Sequence, residues 1–285
     1  GSRLMRGLGG NPATLSMAGE GWAAAARSAP FARATVIHLA ARAHRMDADS
    51  GALYLRDNAE KTRQLARLAA SRGARRFVFL SSIKVLGEET TARAFTCADR
   101  PAPRDAYGRS KLAAEVALQE VAAKGSMQCV IVRSPLVYGK GARGNLASLL
   151  ELADSGWPLP FASLAAPRSF IHVDDLAELL LACALRPQAA GRIYLAAHRE
   201  PACTRDLAGA LREALGRPRR LFPMPPAAIE ALGAAVGQRA RALRLTRALE
   251  VDPSAAEGDL GWRARRGLAV AVADLVEGRR EGASA

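Results

Sequence analysis

Aromatic side chains are scarce, at 5% of the 285 residues. So few rings offer little to a single-stranded nucleic acid, whose bases bind largely by stacking. Cysteine is as sparse. Cys97, Cys129, Cys183 and Cys203 form no C-x-x-C pair, which excludes a recognisable disulfide framework or zinc site and leads us to expect a reduced, cytoplasmic compartment. The four histidines, His38, His44, His172 and His198, make no ligand cluster by spacing, so no metal is expected. No apolar run reaches the roughly 18 residues of a membrane span, and no signal peptide is evident, so no membrane partner is expected either. The alanine-rich stretch 227–236 is too short to span a bilayer and reads as a core helix. Acidic residues are outnumbered, 27 against 41 basic ones, for a net charge of +14. That balance suits a polyanion, but the arginines are scattered and not interleaved with aromatics, so nucleic acid is not expected. A phosphorylated small substrate suits the same charge.

Apolar residues are plentiful, and their pattern indicates the fold. Residues 13–17, 35–39, 76–80, 129–133, 169–173 and 192–196 read as strands, the stretches at 76 and 129 being nearly continuous apolar runs. Helical periodicity covers 53–72, 106–124, 145–155 and 174–185, with more helix after 204 and a frayed tail at 279–285. Short buried strands alternating with amphipathic helices predict a parallel sheet with helices on both faces. The class is α/β, with a Rossmann-like sheet and a smaller, mostly helical C-terminal substrate domain. Ligands of such sheets bind beyond the carboxyl ends of the strands.

Tyr107-Gly108-Arg109-Ser110-Lys111 carries the chemistry. Residues four apart on a helix share a face. An ammonium beside a phenol favours the phenolate, so Tyr107 is expected to have a lowered pKa and to exchange a proton with a sugar hydroxyl or ketone. A Tyr/Lys pair at this spacing is, by itself, more often an exposed helix pair. Here a buried strand ends upstream at Ser81-Ser82, where a hydroxyl can bond the same reacting oxygen. His38 at a strand end reads as structural. His172 and Asp174 read as positioning the loop that carries Arg168, with Asp174 as the alternative cap of the helix starting near Asp175.

The segments VIHLAAR (36–42), FVFLSSIKVLGE (77–88), YGRSK (107–111), VRSPLVYG (132–139), RSFIHVDD (168–175) and LGW (260–262) occur in the order found in the extended short-chain dehydrogenase/reductases, and the chain resembles their NAD-dependent epimerase/dehydratase family. The run at 81–88 is most similar to the bacterial polysaccharide-biosynthesis branch, which contains UDP-N-acetylhexosamine 4-epimerases and 4-keto-sugar reductases. The resemblance implies an NAD- or NADP-dependent enzyme acting at C4 of a UDP-(N-acetyl)hexosamine. It implies Tyr107 as acid/base, Lys111 on the nicotinamide ribose and Ser82 on the substrate C4 oxygen with Ser81 beside it. Leu39, Ala40 and Ala41 would line the cofactor, and Ser134, Pro135 and Leu136 would pass under the nicotinamide. Asn58 matches a structural asparagine behind the sheet. Arg168 would pair with the substrate diphosphate, and Asn145 would contact the nucleotide sugar; Lys84 reads either as a substrate contact or as an exposed side chain. Homodimers packed through two helices near the Tyr/Lys segment are common among such enzymes.

The chain departs from the family at its start. A dinucleotide fold opens with a strand, a glycine-rich turn and a helix, whereas Gly1-Ser2-Arg3-Leu4-Met5 resembles only the last glycine and the helix after it. We therefore expect a shortened chain, either a truncated product or one carrying a cloning scar, with weakened cofactor binding and an exposed hydrophobic slot. Lys61 stands where the family commonly has glycine, and Leu136 where many sugar epimerases have asparagine. The expected dinucleotide-binding domain is 1–139 plus about 168–197, and the substrate domain about 140–167 plus 198–285. The alternative function is a redox-inactive nucleotide-sugar-binding relative or fragment.

Overall fold

The computed structural model describes residues 12–19, 21–42, 50–140 and 145–283. In chain order they form α1 (Trp22–Arg27), β1 (Thr35–His38), α2 (Ser50–Tyr54), a π-helical segment (Leu55–Glu60) and α3 (Lys61–Ser71). Then come β2 (Arg76–Ser82), a 3-10 turn (Ile83–Val85), α4 (Ala106–Ala123), β3 (Gln128–Ser134) and β4 (Leu136–Tyr138). Next are α5 (Asn145–Asp154), β5 (Pro167–Arg168), β6 (Phe170–His172), α6 (Val173–Leu185), β7 (Ile193–Leu195) and β8 (Ala202–Cys203). The chain finishes with α7 (Thr204–Ala214), α8 (Pro226–Ala235), α9 (Arg239–Thr246), α10 (Ser254–Leu260) and α11 (Leu268–Ala283).

The main sheet has the order β1-β2-β3-β7, with every pairing parallel. Its central strands are apolar without interruption because both faces are covered. Successive side chains of a strand point to opposite faces. Accordingly Phe77, Phe79, Cys129 and Ile131 pack with α1, α3 and α4, while Val78, Val130 and Val132 pack with α6, α10 and Trp262. The α/β, Rossmann-like class read from the sequence is the class observed.

Two buried charges anchor α6, Arg76 to the sheet and Asp175 to the segment before α11. The Arg76 guanidinium donates to the carbonyls of Cys183 at 2.7 Å and Arg186 at 2.8 Å, meeting the negative end of the helix. The carboxylate of Asp175, fully buried, accepts from the backbone N–H of Arg266 at 2.9 Å, while Trp262 Nε1 donates to the Asp175 carbonyl at 3.2 Å. A separate apolar cluster joins residues of α5, α7, α8, α9 and α11 with Tyr138, Leu159, Phe161 and Phe170.

Several sequence expectations change. Residues 13–17 carry no strand, since that short apolar run finds no sheet neighbour among the described residues. The helix expected over 53–72 is interrupted by the π segment. The tail expected to fray from 279 is helical to Ala283. The stretch 227–236 is helical but lies at the surface, where Leu232 is 58% and Val236 69% exposed. The helix expected to follow the glycine at the chain start lies outside the described residues. β1 is an edge strand of the main sheet among the described residues, and Val36 and Ile37 are half-buried there.

Candidate active site

The parallel strands end together. Ser81 sits opposite Arg133 and Ser82 opposite Ser134 across β2 and β3, and β1 ends at His38 beside Phe79. Leu39, Ala40 and Ala41 follow β1 as a loop. Asn58 of the π segment anchors that loop. Its Oδ1 accepts from Arg42 N–H at 2.7 Å, and its Nδ2 donates to the Arg42 carbonyl at 3.1 Å and to Ser110 Oγ on α4 at 2.9 Å. One asparagine thus couples the loop after β1 to the helix that carries Tyr107 and Lys111.

The start of α4 is pinned to the loop after β2. Asp105 caps the helix, accepting from Gly108 N–H at 2.6 Å. Gly108 is required there, because a Cβ would stand 2.7 Å from the Lys84 carbonyl oxygen. Lys84 is ion-paired with Glu88 at 2.9 Å and with Asp105. Its ammonium is therefore committed to two carboxylates rather than left open to solvent. Ser82 Oγ accepts from Lys84 N–H at 3.3 Å, and the Ser82 side chain acts on the Tyr107 phenol, favouring its ionised form. The structure thus brings together the serine and tyrosine that the sequence placed on separate elements.

The electrostatics differ from the sequence expectation. Burial, with the Asp105 charge second, pushes the Tyr107 phenol up to about 12, against the opposing hydrogen bond from Ser82. The expected depression by Lys111 is absent. Lys111 points its ammonium into the sheet, donating to the Leu80 carbonyl at 2.7 Å and lying 4.0 Å from the Phe79 ring centroid. Burial lowers Lys111 to about 7, with Glu115 acting in the opposite sense. Tyr107 is thus set as a proton donor at neutral pH.

Sequence reasoning missed the support behind Lys111. Glu115, one turn further along α4, forms a bidentate pair with Arg133 of β3 at 3.0 and 2.7 Å, and both side chains are at most 3% exposed. The signal was available as Tyr107, Lys111 and Glu115 at successive four-residue steps. Tyr54 was missed too; it meets the Tyr107 ring edge-on at 5.9 Å.

His38 is structural, as expected. It is buried, shares a 2.9 Å hydrogen bond with Thr62 Oγ1 and is held neutral, down to about 3, by burial and then by the Lys111 charge. His172, not Asp174, caps α6, its Nδ1 accepting from Asp174 N–H at 3.2 Å. That leaves Nε2 to donate to Asp274 at 3.1 Å. His172, Asp174 and Asp274 have ligand-type atoms within 4.8 Å of one another, but both ring nitrogens of the histidine are already used, so no lone pair is free for a metal.

On the other side of the cleft, Arg168 of β5 is half-buried and donates to the Arg247 carbonyl at 2.6 Å. Burial lowers its pKa, with Tyr138, Arg244 and Glu88 as the charged or titratable groups acting on it. Leu136 opens β4 and is 44% exposed. Ser134 is buried, its Oγ 3.5 Å from the Ser81 carbonyl. Asn145 begins α5, and its side chain lies outside what is described.

A dinucleotide is tested by what these residues leave open. Ser81 Oγ is buried and has no hydrogen-bond partner among the described residues. An unpaired buried hydroxyl costs roughly 1–3 kcal/mol, so a polar ligand at this strand end would relieve it. Small residues in the Leu39–Ala41 loop and the exposed face of Leu136 fit a flat ring and its ribose at the same end of the sheet.

The family model described as "NAD dependent epimerase/dehydratase family" matches residues 25–197. The chain belongs to this family. Its cofactor is accordingly a nicotinamide dinucleotide, NAD or NADP. As an epimerase/dehydratase family member it is similar to a Vibrio cholerae protein named UDP-glucose 4-epimerase, with 39% identity over 80% of this chain and 71% of the relative. It is 28% identical, over 51% of this chain and 44% of the relative, to the Escherichia coli O157:H7 N-acetyl-alpha-D-glucosaminyl-diphospho-ditrans,octacis-undecaprenol 4-epimerase. Among solved structures, RMD from Pseudomonas aeruginosa complexed with NADPH superposes with a TM-score of 0.71, at 20% identity, over 87% of this chain and 81% of that one; this likeness concerns the fold.

Proposed function

We propose that the protein exchanges a hydride between nicotinamide and C4 of a UDP-(N-acetyl)hexosamine, as a 4-epimerase or a 4-keto-sugar reductase. The observation that carries this reading is Ser82, at the carboxyl end of a parallel strand, acting on the Tyr107 phenol, with Lys111 on the same helix face as Tyr107. Two hydroxyls there converge on a single substrate oxygen. Tyr107 moves its proton and Ser82 Oγ orients the oxygen. When bound, the nicotinamide supplies or accepts the hydride. With its phenol held up by burial and Asp105, Tyr107 is ready to protonate a C4 ketone. The oxidative direction requires Tyr107 to lose that proton, which calls for the Lys111 ammonium to turn from Leu80 towards the phenol.

In this reading Ser81, Ser134, Leu136 and the Leu39–Ala41 loop line the cofactor. Lys111 contacts its ribose, Arg168 meets the substrate diphosphate through a guanidinium suited to phosphate oxygens, and Asn145 and Lys84 sit on the sugar side. Lys84 acts there through its pairs with Glu88 and Asp105. The apolar cluster around α5, α7 and α11 is the substrate-binding domain, and the helix pair α3/α4 is the surface for a homodimer. Both named relatives support chemistry at C4, and the E. coli name supports an N-acetylhexosamine. The V. cholerae name is UDP-glucose 4-epimerase, the activity from which Leu136 departs.

The test is conversion of UDP-N-acetylglucosamine and UDP-glucose, followed by chromatography of the products, together with a fluorescence titration with NADH and NADPH. Turnover that disappears in Tyr107→Phe while dinucleotide binding persists is the expected result. Saturable sugar-nucleotide binding with no turnover in the presence of either dinucleotide would establish the redox-inactive alternative instead.

A further inference from the structure

α8 turns an apolar surface outward. Ile229 is its one buried residue, and Gly233 lets it close on α9, where a Cβ would stand 2.6 Å from the Cβ of Ala242. The only charged residue of α8, Glu230, is turned onto Arg247 and Thr246 at 2.7 Å each. What remains on the outside is alanine, Leu232 and, just beyond the helix, Val236. The segment leading into α8 continues this character. Leu221 pairs with Leu159, and beside them Phe222 is 39% and Trp157 75% exposed.

Basic residues bracket this surface. Arg220 precedes it, while Arg239 and Arg241 follow on α9. All three are exposed; Arg220 and Arg241 form no ion pair among the described residues, while the Arg239 charge acts on Glu230. An apolar helix surface with exposed Leu232 and Val236, with exposed cations on either side of it and Phe222 in the segment before it, matches what lies in the interfacial plane of a bilayer. A second protein would need carboxylates to meet these arginines; anionic headgroups meet them while the apolar residues enter the acyl boundary. No helix of the described residues is long and apolar enough to cross a membrane, so the helix would lie on the bilayer rather than span it.

We infer that the α8–α9 hairpin, with Trp157 and Phe222 beside it, is a docking surface for an anionic lipid bilayer. This goes beyond the proposed chemistry and does not depend on it. The sequence argued against a membrane partner from the lack of a long apolar run, which bears on spanning and not on lying at a surface. The docked face is also close to the cleft. Arg247, the residue after α9, holds Arg168 through its carbonyl, and the 8 residues of α9 extend about 12 Å.

The experiment is vesicle flotation of the whole chain with phosphatidylcholine alone and with phosphatidylcholine containing phosphatidylglycerol. The protein is expected to float with the anionic vesicles, less so at high salt. Leu232→Asp combined with Val236→Asp, and separately Arg239→Glu combined with Arg241→Glu, should each reduce the bound fraction on the order of tenfold or more. These are exposed positions outside the cleft, and unchanged circular dichroism verifies that the variants fold. Failure of the wild-type chain to float, equal flotation with both lipid mixtures, or variants that float like the wild type would overturn the inference. So would a concentration-dependent dimer in sedimentation that the Leu232/Val236 variant dissolves, since the apolar face would then belong to a second copy.

Discussion

The carboxyl end of the main sheet and the α8–α9 hairpin invert one another. At the sheet end, charges lie inside. Lys111, Glu115 and Arg133 are each at most 3% exposed; Lys111 meets the Leu80 carbonyl and the Phe79 ring, and Glu115 and Arg133 meet each other. At the hairpin, apolar residues lie outside, and Arg220 and Arg241 are exposed without an ion pair among the described residues. Burial makes charge costly unless it is paired, so the buried set is complete and geometrically determined. Exposure makes unpaired charge cheap, so the outer set is free to meet something else. A buried charge cluster therefore points to chemistry or folding within the chain, and an exposed apolar face bracketed by cations points to a surface outside it.

The sharpest way to break this comparison is at Tyr107. Tyr107→Phe is expected to lower sugar-nucleotide turnover by about 10²–10⁴-fold while leaving NADH affinity, read by fluorescence, nearly unchanged. Next comes the buried pair. Glu115→Ala or Arg133→Ala should destabilise by about 3–5 kcal/mol in urea denaturation, because each leaves a charge buried alone. A double variant, Glu115→Leu with Arg133→Met, should recover much of that loss; if it does not, the pair contributes something other than mutual neutralisation. Gly108→Ala should cost about 1–3 kcal/mol, because its Cβ meets the rigid carbonyl of Lys84 rather than a movable side chain. A further effect is in pH dependence. Burial holds Lys111 at about 7 against an ordinary 10.5, so between those values the unfolded chain binds more protons than the folded one. Stability should rise with pH across that window, and Lys111→Met should remove that part of the rise in thermal melts collected across it.

Much of the sheet was legible because its strands are extreme. The runs in β2 and β3 are apolar at nearly every position, as burial on both faces demands, and Ser81-Ser82 marks where the strand ends. The two-residue strands β5 and β8 were not legible as a pair, since an antiparallel pairing of Pro167 with Cys203 and of Arg168 with Ala202 follows from where two distant segments meet. Residues 13–17 resembled a strand by composition alone, and composition does not supply a neighbour. At the site, the four-residue spacing put Tyr107 and Lys111 on one face. It could not say which way the lysine turns; turning towards Leu80 removes its expected effect on the phenol, which burial and Asp105 raise instead.

From its sequence alone this chain determined an α/β fold, the position of a Ser/Tyr/Lys set at strand and helix ends, and membership in a dinucleotide-using family, because periodicity and motif order are local properties. Tertiary structure alone decided that His172 rather than Asp174 caps α6, that Glu115 and Arg133 close behind Lys111, that Tyr107 is held protonated, and that the alanine-rich helix lies outside the core. Each of these depends on which groups exclude water from one another, and that is a property of the packed chain.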